Sequence, residues 1–151
     1  MAWIRAMGAP ATARKYVYDE GTIVESIGSS GYSYGSDTVV SPTFNADNIA
    51  LVSGGSNRSA ICGTLSTLDM TSYNKVKFSI KTNSNAAVLI VVASAKTLGV
   101  SATHQSSKVL SAQTADYVEQ ELDVSALTSN SYIAVVAPNN ASVNVTAIWL
   151  E

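Results

Sequence analysis

The chain has 151 residues, of which 46% are hydrophobic and only 13% charged, with a formal net charge of −2. That length suits one domain with a full hydrophobic core, and the slight negative charge excludes a general attraction to nucleic acid or to an anionic membrane surface. The lone cysteine, Cys62, excludes an intrachain disulfide, a zinc site and a redox CxxC motif; it is expected as a small buried residue on a strand.

Residues 1–14 differ from the rest. Trp3, Ile4 and Arg5 lead into a run of small residues, Ala6 to Ala13, interrupted by Gly8 and Pro10. Those breakers predict an extended arm rather than a helix. An arm carrying Trp3 either folds back on its own domain or docks on a neighbour, which makes Trp3, Ile4 and Arg5 the candidate assembly residues. The arm holds no apolar run long enough for a signal-peptide core. Nor does any stretch approach the roughly 20 apolar residues that cross a bilayer, so the expectation is a protein made in the cytoplasm. The sequons at Asn57, Asn140 and Asn144 are read as chance matches in a chain rich in Asn, Ser and Thr.

From Lys15 to the end, residues 15–151, the signals are those of strands. Lys15 to Tyr18 and Thr22 to Ile27 read as short strands split at Gly21. Gly28 to Asp37 reads as a flexible Gly/Ser loop displaying Tyr32 and Tyr34, and residues 38–48 as irregular around Pro42. Ile49 to Ser53 and Ser59 to Leu65 are strands joined by a turn at Gly54 to Asn57. Asn74 to Lys81 alternates cleanly, Val76, Phe78 and Ile80 facing one way and Lys75, Lys77, Ser79 and Lys81 the other. Tyr117 to Val124 does the same, with Val118, Leu122 and Val124 inward and Glu119, Glu121 and Asp123 outward. Gln120 falls in the inward set and needs a partner there. If these two strands are neighbours, their rows of lysines and carboxylates pair across and set the register; the plain reading of both rows is a solvated sheet face.

Ala86 to Ala93 and Tyr132 to Ala137 break the alternation, being apolar on both faces. Strands of that kind are buried on both sides, so the arm, a long loop or another subunit must cover them; this is the sequence argument for self-association. Val143 to Leu150 closes the chain as a strand with Trp149 near its end.

Catalytic chemistry is nearly absent from the pattern. His104 is the only histidine, placed in a polar stretch with no second ligand or nucleophile beside it, so it reads as a loop residue. No nucleophile elbow, metalloprotease helix motif or phosphate-binding loop occurs. The pairs Asp19/Glu20 and Glu119/Glu121 read as solvated charges rather than a glycosidase pair, and the expectation is not an enzyme. Asp37, Asp47, Asn48, Asn139 and Asn140 offer hard oxygens to a calcium ion, but Asx turns explain them as well, and no metal site is assigned. Tyr32 and Tyr34, two apart in a Gly/Ser segment, either form an aromatic platform for a sugar or pack beneath their loop on the sandwich edge.

Three phrases carry a resemblance: Leu68 to Phe78, Tyr117 to Leu127 and Tyr132 to Val135. Over about residues 60–151 the chain resembles jelly-roll β-sandwiches of the carbohydrate-binding-module type. The opening Met1-Ala2-Trp3-Ile4-Arg5 is similar to the start of small virion proteins encoded in phage and prophage tail modules. Together they imply an all-β, jelly-roll-type antiparallel β-sandwich (residues 15–151) with an N-terminal docking arm (residues 1–14). The implied role is a non-enzymatic virion structural protein on a tail, baseplate, fibre or capsid surface, homo-oligomeric, docked on other virion proteins and touching host glycans. The alternative is a soluble carbohydrate-binding module using Tyr32 and Tyr34.

Overall fold

The computed structural model describes residues 13–151; Trp3, Ile4 and Arg5 lie outside them. The first half carries β1 (Lys15–Asp19), β2 (Thr22–Ile23), β3 (Ile27–Gly28), β4 (Thr38–Val40), β5 (Thr43–Phe44), β6 (Ile49–Val52) and β7 (Arg58–Thr64). The second carries β8 (Leu68–Asp69), β9 (Lys75–Thr82), β10 (Val88–Ala93), β11 (His104–Leu110), β12 (Val118–Asp123), β13 (Asn130–Pro138) and β14 (Ser142–Leu150), with a single 3-10 turn at Ser101–Thr103. The expected all-β sandwich is what forms.

Two sheets face each other. Sheet one runs β12-β9-β14, and the far edge of β14 is shared by β6 along its first half and β1 along its second, with β5 and β2 outside them. Sheet two runs β11-β10-β13-β7, with β3 and β4 on the outer edge of β7 and β8 against the start of β13. Every pairing is antiparallel except β4 with β7. The strands β6 and β7, joined by the predicted turn, belong to different sheets, so that turn is a crossover and not a hairpin.

The core lies between the sheets. The inward rows Val76, Phe78 and Ile80 of β9 and Val88, Ile90 and Val92 of β10 all enter it, together with Val143, Val145, Ile148 and Leu150 of β14. Cys62 is buried among them as expected, and burial pushes its thiol up to about 12. The two Leu-Asp-x-Ser/Thr-type phrases turn out to be one device used twice. Asp69 accepts the Thr71 N–H (2.9 Å) and hydroxyl (2.7 Å), and Asp123 accepts the Ser125 N–H (2.9 Å) and hydroxyl (2.6 Å), ending β8 and β12 in Asx turns. Both carboxyls are held below their ordinary value by those donors.

The doubly apolar strands find their cover inside the chain. Leu89, Val91 and Ala93 of β10 and Ala134 and Val136 of β13 face away from the main core into a second cluster with Ile61, Tyr32 and Leu98. Two loops close it, residues 29–37 and 94–103. They are tied by Ser33 N–H to Lys96 O (3.0 Å) and Leu98 N–H to Ser33 O (2.8 Å). Of the three covers the sequence allowed, the long loop is the one used, and the need for a covering subunit disappears.

Three expectations change with that packing. The Gly28 to Asp37 segment does not display its tyrosines: Tyr32 is 5% exposed and donates its hydroxyl to Thr64 O at 2.7 Å. Lys96 closes over it, its Nζ 5.2 Å from the Tyr32 ring and 5.3 Å from that of Tyr132. Residues 38–48 contain β4 and β5 rather than irregular chain. His104 opens β11, its Nε2 2.7 Å from Leu98 O, so it pins the covering loop.

Candidate binding face

The outer face of sheet one is built by the alternation already visible in β9 and β12. Glu119 lies opposite Ser79, Glu121 opposite Lys77 and Asp123 opposite Lys75. The ion pairs step diagonally across this register. Lys75 Nζ meets both carboxylate oxygens of Glu121 (2.8 and 2.9 Å), and Lys77 Nζ reaches Glu119 at 2.8 Å and Glu121 at 4.0 Å. The two strands are neighbours, and the two charge rows interlock as the alternation required.

Gln120, on the inward side of β12, receives its partner from sheet two: Lys108 Nζ donates to its Oε1 at 2.7 Å. Beside that contact, at the open edge of the sandwich, lies a cavity of about 260 Å3 lined by Ile80, Thr82, Leu110 and Thr114 among others. It is small for a ligand pocket, which typically begins near 300 Å3.

Two β-bulges complete the outer face. In β14, Val145 pairs with Ile80 and Ala147 with Ser79, leaving Thr146 as the extra residue. Before the bulge Val143 and Val145 point inward; after it Ile148 and Leu150 do. Unbroken alternation would have sent Trp149 into the core with Val145, whereas the bulge turns it outward. In β1, Tyr16 pairs with Trp149 and Tyr18 with Ile148, so Val17 is the extra residue there. Tyr18 is thereby buried in the core and Tyr16 is left outside, beside the indole. The Thr146 hydroxyl, freed from the regular ladder, meets Ser79 Oγ at 2.7 Å.

The rings of Tyr16 and Trp149 stand 6.1 Å apart, tilted by 36°. Trp149 lies opposite Lys77 across the other pairing of β14. Trp149 Nε1 donates to Glu151 Oε2 (3.2 Å), and Lys77 Nζ meets Glu151 Oε1 (2.8 Å). Arg14 Nε lies 3.4 Å from Glu151 Oε2, with its guanidinium carbon 5.1 Å from the indole centroid. The hydrogen bonds from Glu119 and Glu151 hold the Lys77 ammonium well above its ordinary pKa; Lys77 and Trp149 in turn hold the Glu151 carboxyl below its own. An aromatic pair therefore sits inside a ring of three cations (Arg14, Lys75, Lys77) and three carboxylates (Glu119, Glu121, Glu151). That arrangement suits a ligand with an apolar face to stack and many hydroxyls to exchange hydrogen bonds, and its balanced charge favours a neutral one.

The expected site residues fare differently. Tyr32 is packed beneath its loop and Tyr34 packs half-buried against the same second cluster, so no platform forms there. The oxygen-rich loop residues satisfy one another: Asp37 accepts the Ser59 hydroxyl (2.6 Å), Asp47 accepts from Asn48 Nδ2 (2.7 Å) and Asn139 Oδ1 accepts the Asn57 N–H (2.9 Å). Among the described residues no three His, Cys, Asp or Glu side chains gather as a metal site. Tyr16 and Trp149 went unnoticed in the sequence because nothing in a two-residue period announces a bulge.

No family model matches this sequence, and no curated protein matches it significantly. Solved structures do resemble it. A xylan-binding module of carbohydrate-binding family 15 superposes with a TM-score of 0.59 at 8% identity, over 91% of this chain and 95% of that one. A family 29 carbohydrate-binding module from Piromyces equi gives 0.53 at 12% identity, over 91% and 89%. A family 11 module from Clostridium thermocellum, in complex with a β-1,3-1,4-mixed-linked tetrasaccharide, gives 0.51 at 15% identity, over 93% and 96%. At these identities the likeness establishes the shared β-sandwich fold.

Proposed function

We propose that the protein is a non-catalytic glycan-binding module whose binding surface is the outer face of sheet one. The observation that carries this reading is the pair of β-bulges that turn Tyr16 and Trp149 outward, side by side, on that face. The opposite sandwich face is closed by the chain's own loops, which leaves sheet one to meet a partner. The balance of three cations and three carboxylates around the rings supports an uncharged polysaccharide, and a xylan, a mannan and a mixed-linkage glucan are the chemistries named for the similar folds. A sugar ring would lay its C–H face on the indole while its hydroxyls bond to Lys75, Glu119 and Glu121 at the rim. The virion placement keeps the likeness of Met1 to Arg5 as its support; the argument from uncovered strands no longer serves it, because the cover is internal.

The test is a glycan array followed by affinity electrophoresis on soluble xylan, mannan and mixed-linkage glucan. Wild type is expected to bind at least one neutral glycan, Tyr16→Ala to lose most of that binding, and Tyr32→Phe to retain it. Absence of binding to every glycan by folded wild type, or equal binding by Tyr16→Ala, overturns the assignment.

A further inference from the structure

Trp149 points away from the core, yet only 5% of it is exposed. Arg14 lies against it and is itself 53% exposed, so the cation is on the solvent side of the indole. Its guanidinium carbon is 5.1 Å from the ring centroid, and its Nε pairs with Glu151 Oε2 at 3.4 Å. That same oxygen accepts the Trp149 Nε1–H. Arginine stacks on aromatic faces because its planar, weakly hydrated guanidinium is drawn to the ring's negative face. A sugar stacks in the same place through its C–H face. The two are competitors for one surface.

Resting on the glycan-binding reading above, we infer that Arg14 is a displaceable cover on the Trp149 platform, and that a glycan binds by exchanging with its guanidinium. Three features make the exchange easy. Arg14 precedes the first registered pair of β1, Lys15 with Leu150, so its side chain leaves without breaking the ladder. Its ion pair with Glu151 and its stack on the ring are both solvent-facing contacts of the weak kind. Glu151 does not become unpaired when Arg14 departs, because Lys77 Nζ stays 2.8 Å from its other oxygen. Arg14 thus sets affinity by holding the stacking position in the free protein, and the displaced cation remains near enough to bond the sugar's hydroxyls.

The cover is tested by acrylamide quenching in a Trp3→Phe background, where Trp149 is the single remaining indole. Arg14→Ala is expected to raise the quenching constant about twofold, with Arg14→Lys in between because it keeps the charge and loses the planar stack. An unchanged quenching constant in Arg14→Ala overturns the inference. On a glycan that wild type binds, Arg14→Ala is expected to bind about tenfold more tightly, equivalent to about 1.4 kcal/mol; equal or weaker binding overturns exchange. If quenching rises but no form of the protein binds any glycan, the cover stands and the glycan reading falls.

Discussion

Lys77 and Glu151 form an ion pair of 2.8 Å that joins the middle of β9 to the last residue of the chain. The backbone repeats the link, with Glu151 N–H donating to Lys75 O at 3.0 Å and Lys75 N–H to Glu151 O at 2.9 Å. Lys77 also meets Glu119 at 2.8 Å and has a side chain only 14% exposed, so it ties three strands together beneath the aromatic pair.

Removing that hub leaves two neighbouring carboxylates without their shared cation. Lys77→Ala is expected to lower the melting temperature by about 2–4 °C, the scale for a modest loss in a domain of this size. Lys77→Ala combined with Glu151→Gln should cost less than the sum of the two single changes, because the second removes a charge that the first orphaned. Strict additivity in thermal melts would show that the pair is not coupled.

Acid should weaken the same network. The Glu151 carboxyl is held below its ordinary value of 4.5, chiefly by its hydrogen bond from Lys77, and the Glu121 carboxyl below the same value, chiefly by that from Lys75. For a carboxyl depressed by folding, the unfolded chain binds more protons across the interval between the two pKa values, so stability is present above about 4.5 and lost as pH falls through the depressed folded value. Melting temperature between pH 7 and pH 3 should fall less steeply for Glu151→Gln than for wild type; parallel curves would show that this carboxyl carries none of the dependence.

Tyr32 is expected to act on stability and not on binding. Tyr32→Phe removes the 2.7 Å bond to Thr64 O and leaves that buried carbonyl short of a donor, a loss of about 1–2 kcal/mol in urea denaturation. Wild-type stability in this variant would mean that the hydroxyl contributes nothing to the cover.

Gly63 tests the same cover from below. A Cβ there would lie 2.5 Å from the Tyr32 hydroxyl and 2.8 Å from the Ala134 Cβ. Gly63→Ala must therefore push Tyr32 off the sheet or bend β7, at a cost of about 1–3 kcal/mol. Denaturant midpoints matching wild type would show that Tyr32 relaxes freely.

Cys62 should be inert while the protein is folded. With its thiol pushed up to about 12 by burial, it is expected not to react with a disulfide reagent at pH 8 until denaturant is added. Because the folded thiol holds its proton beyond the ordinary value of 9.0, its contribution is present below about 9 and lost as pH rises towards about 12. Rapid native-state labelling would show that the core opens far more often than its packing implies.

Much of this molecule was readable from residue patterns. The period of two in Lys75 to Lys81 and in Glu119 to Asp123 established two half-exposed strands and the sign of each row, because alternate side chains on a pleated strand must face opposite ways. The apolar runs of β10 and β13 established burial on both faces. The Leu-Asp phrases marked strand ends, since a short carboxylate folds back on its own backbone locally. Each of these depends on neighbours a few residues away.

What covers the double-sided strands, and which aromatics face out, depends on partners far along the chain. Tyr32 is buried because Thr64, Lys96 and Tyr132 come to it from three separate segments. Tyr16 and Trp149 reach the surface because one extra residue in each of two paired strands reverses the facing of everything after it. A bulge is a mismatch between two strand lengths, and one strand's sequence does not contain the other. Composition and periodicity therefore determined the sandwich, while the tertiary pairing decided which of its faces carries the rings.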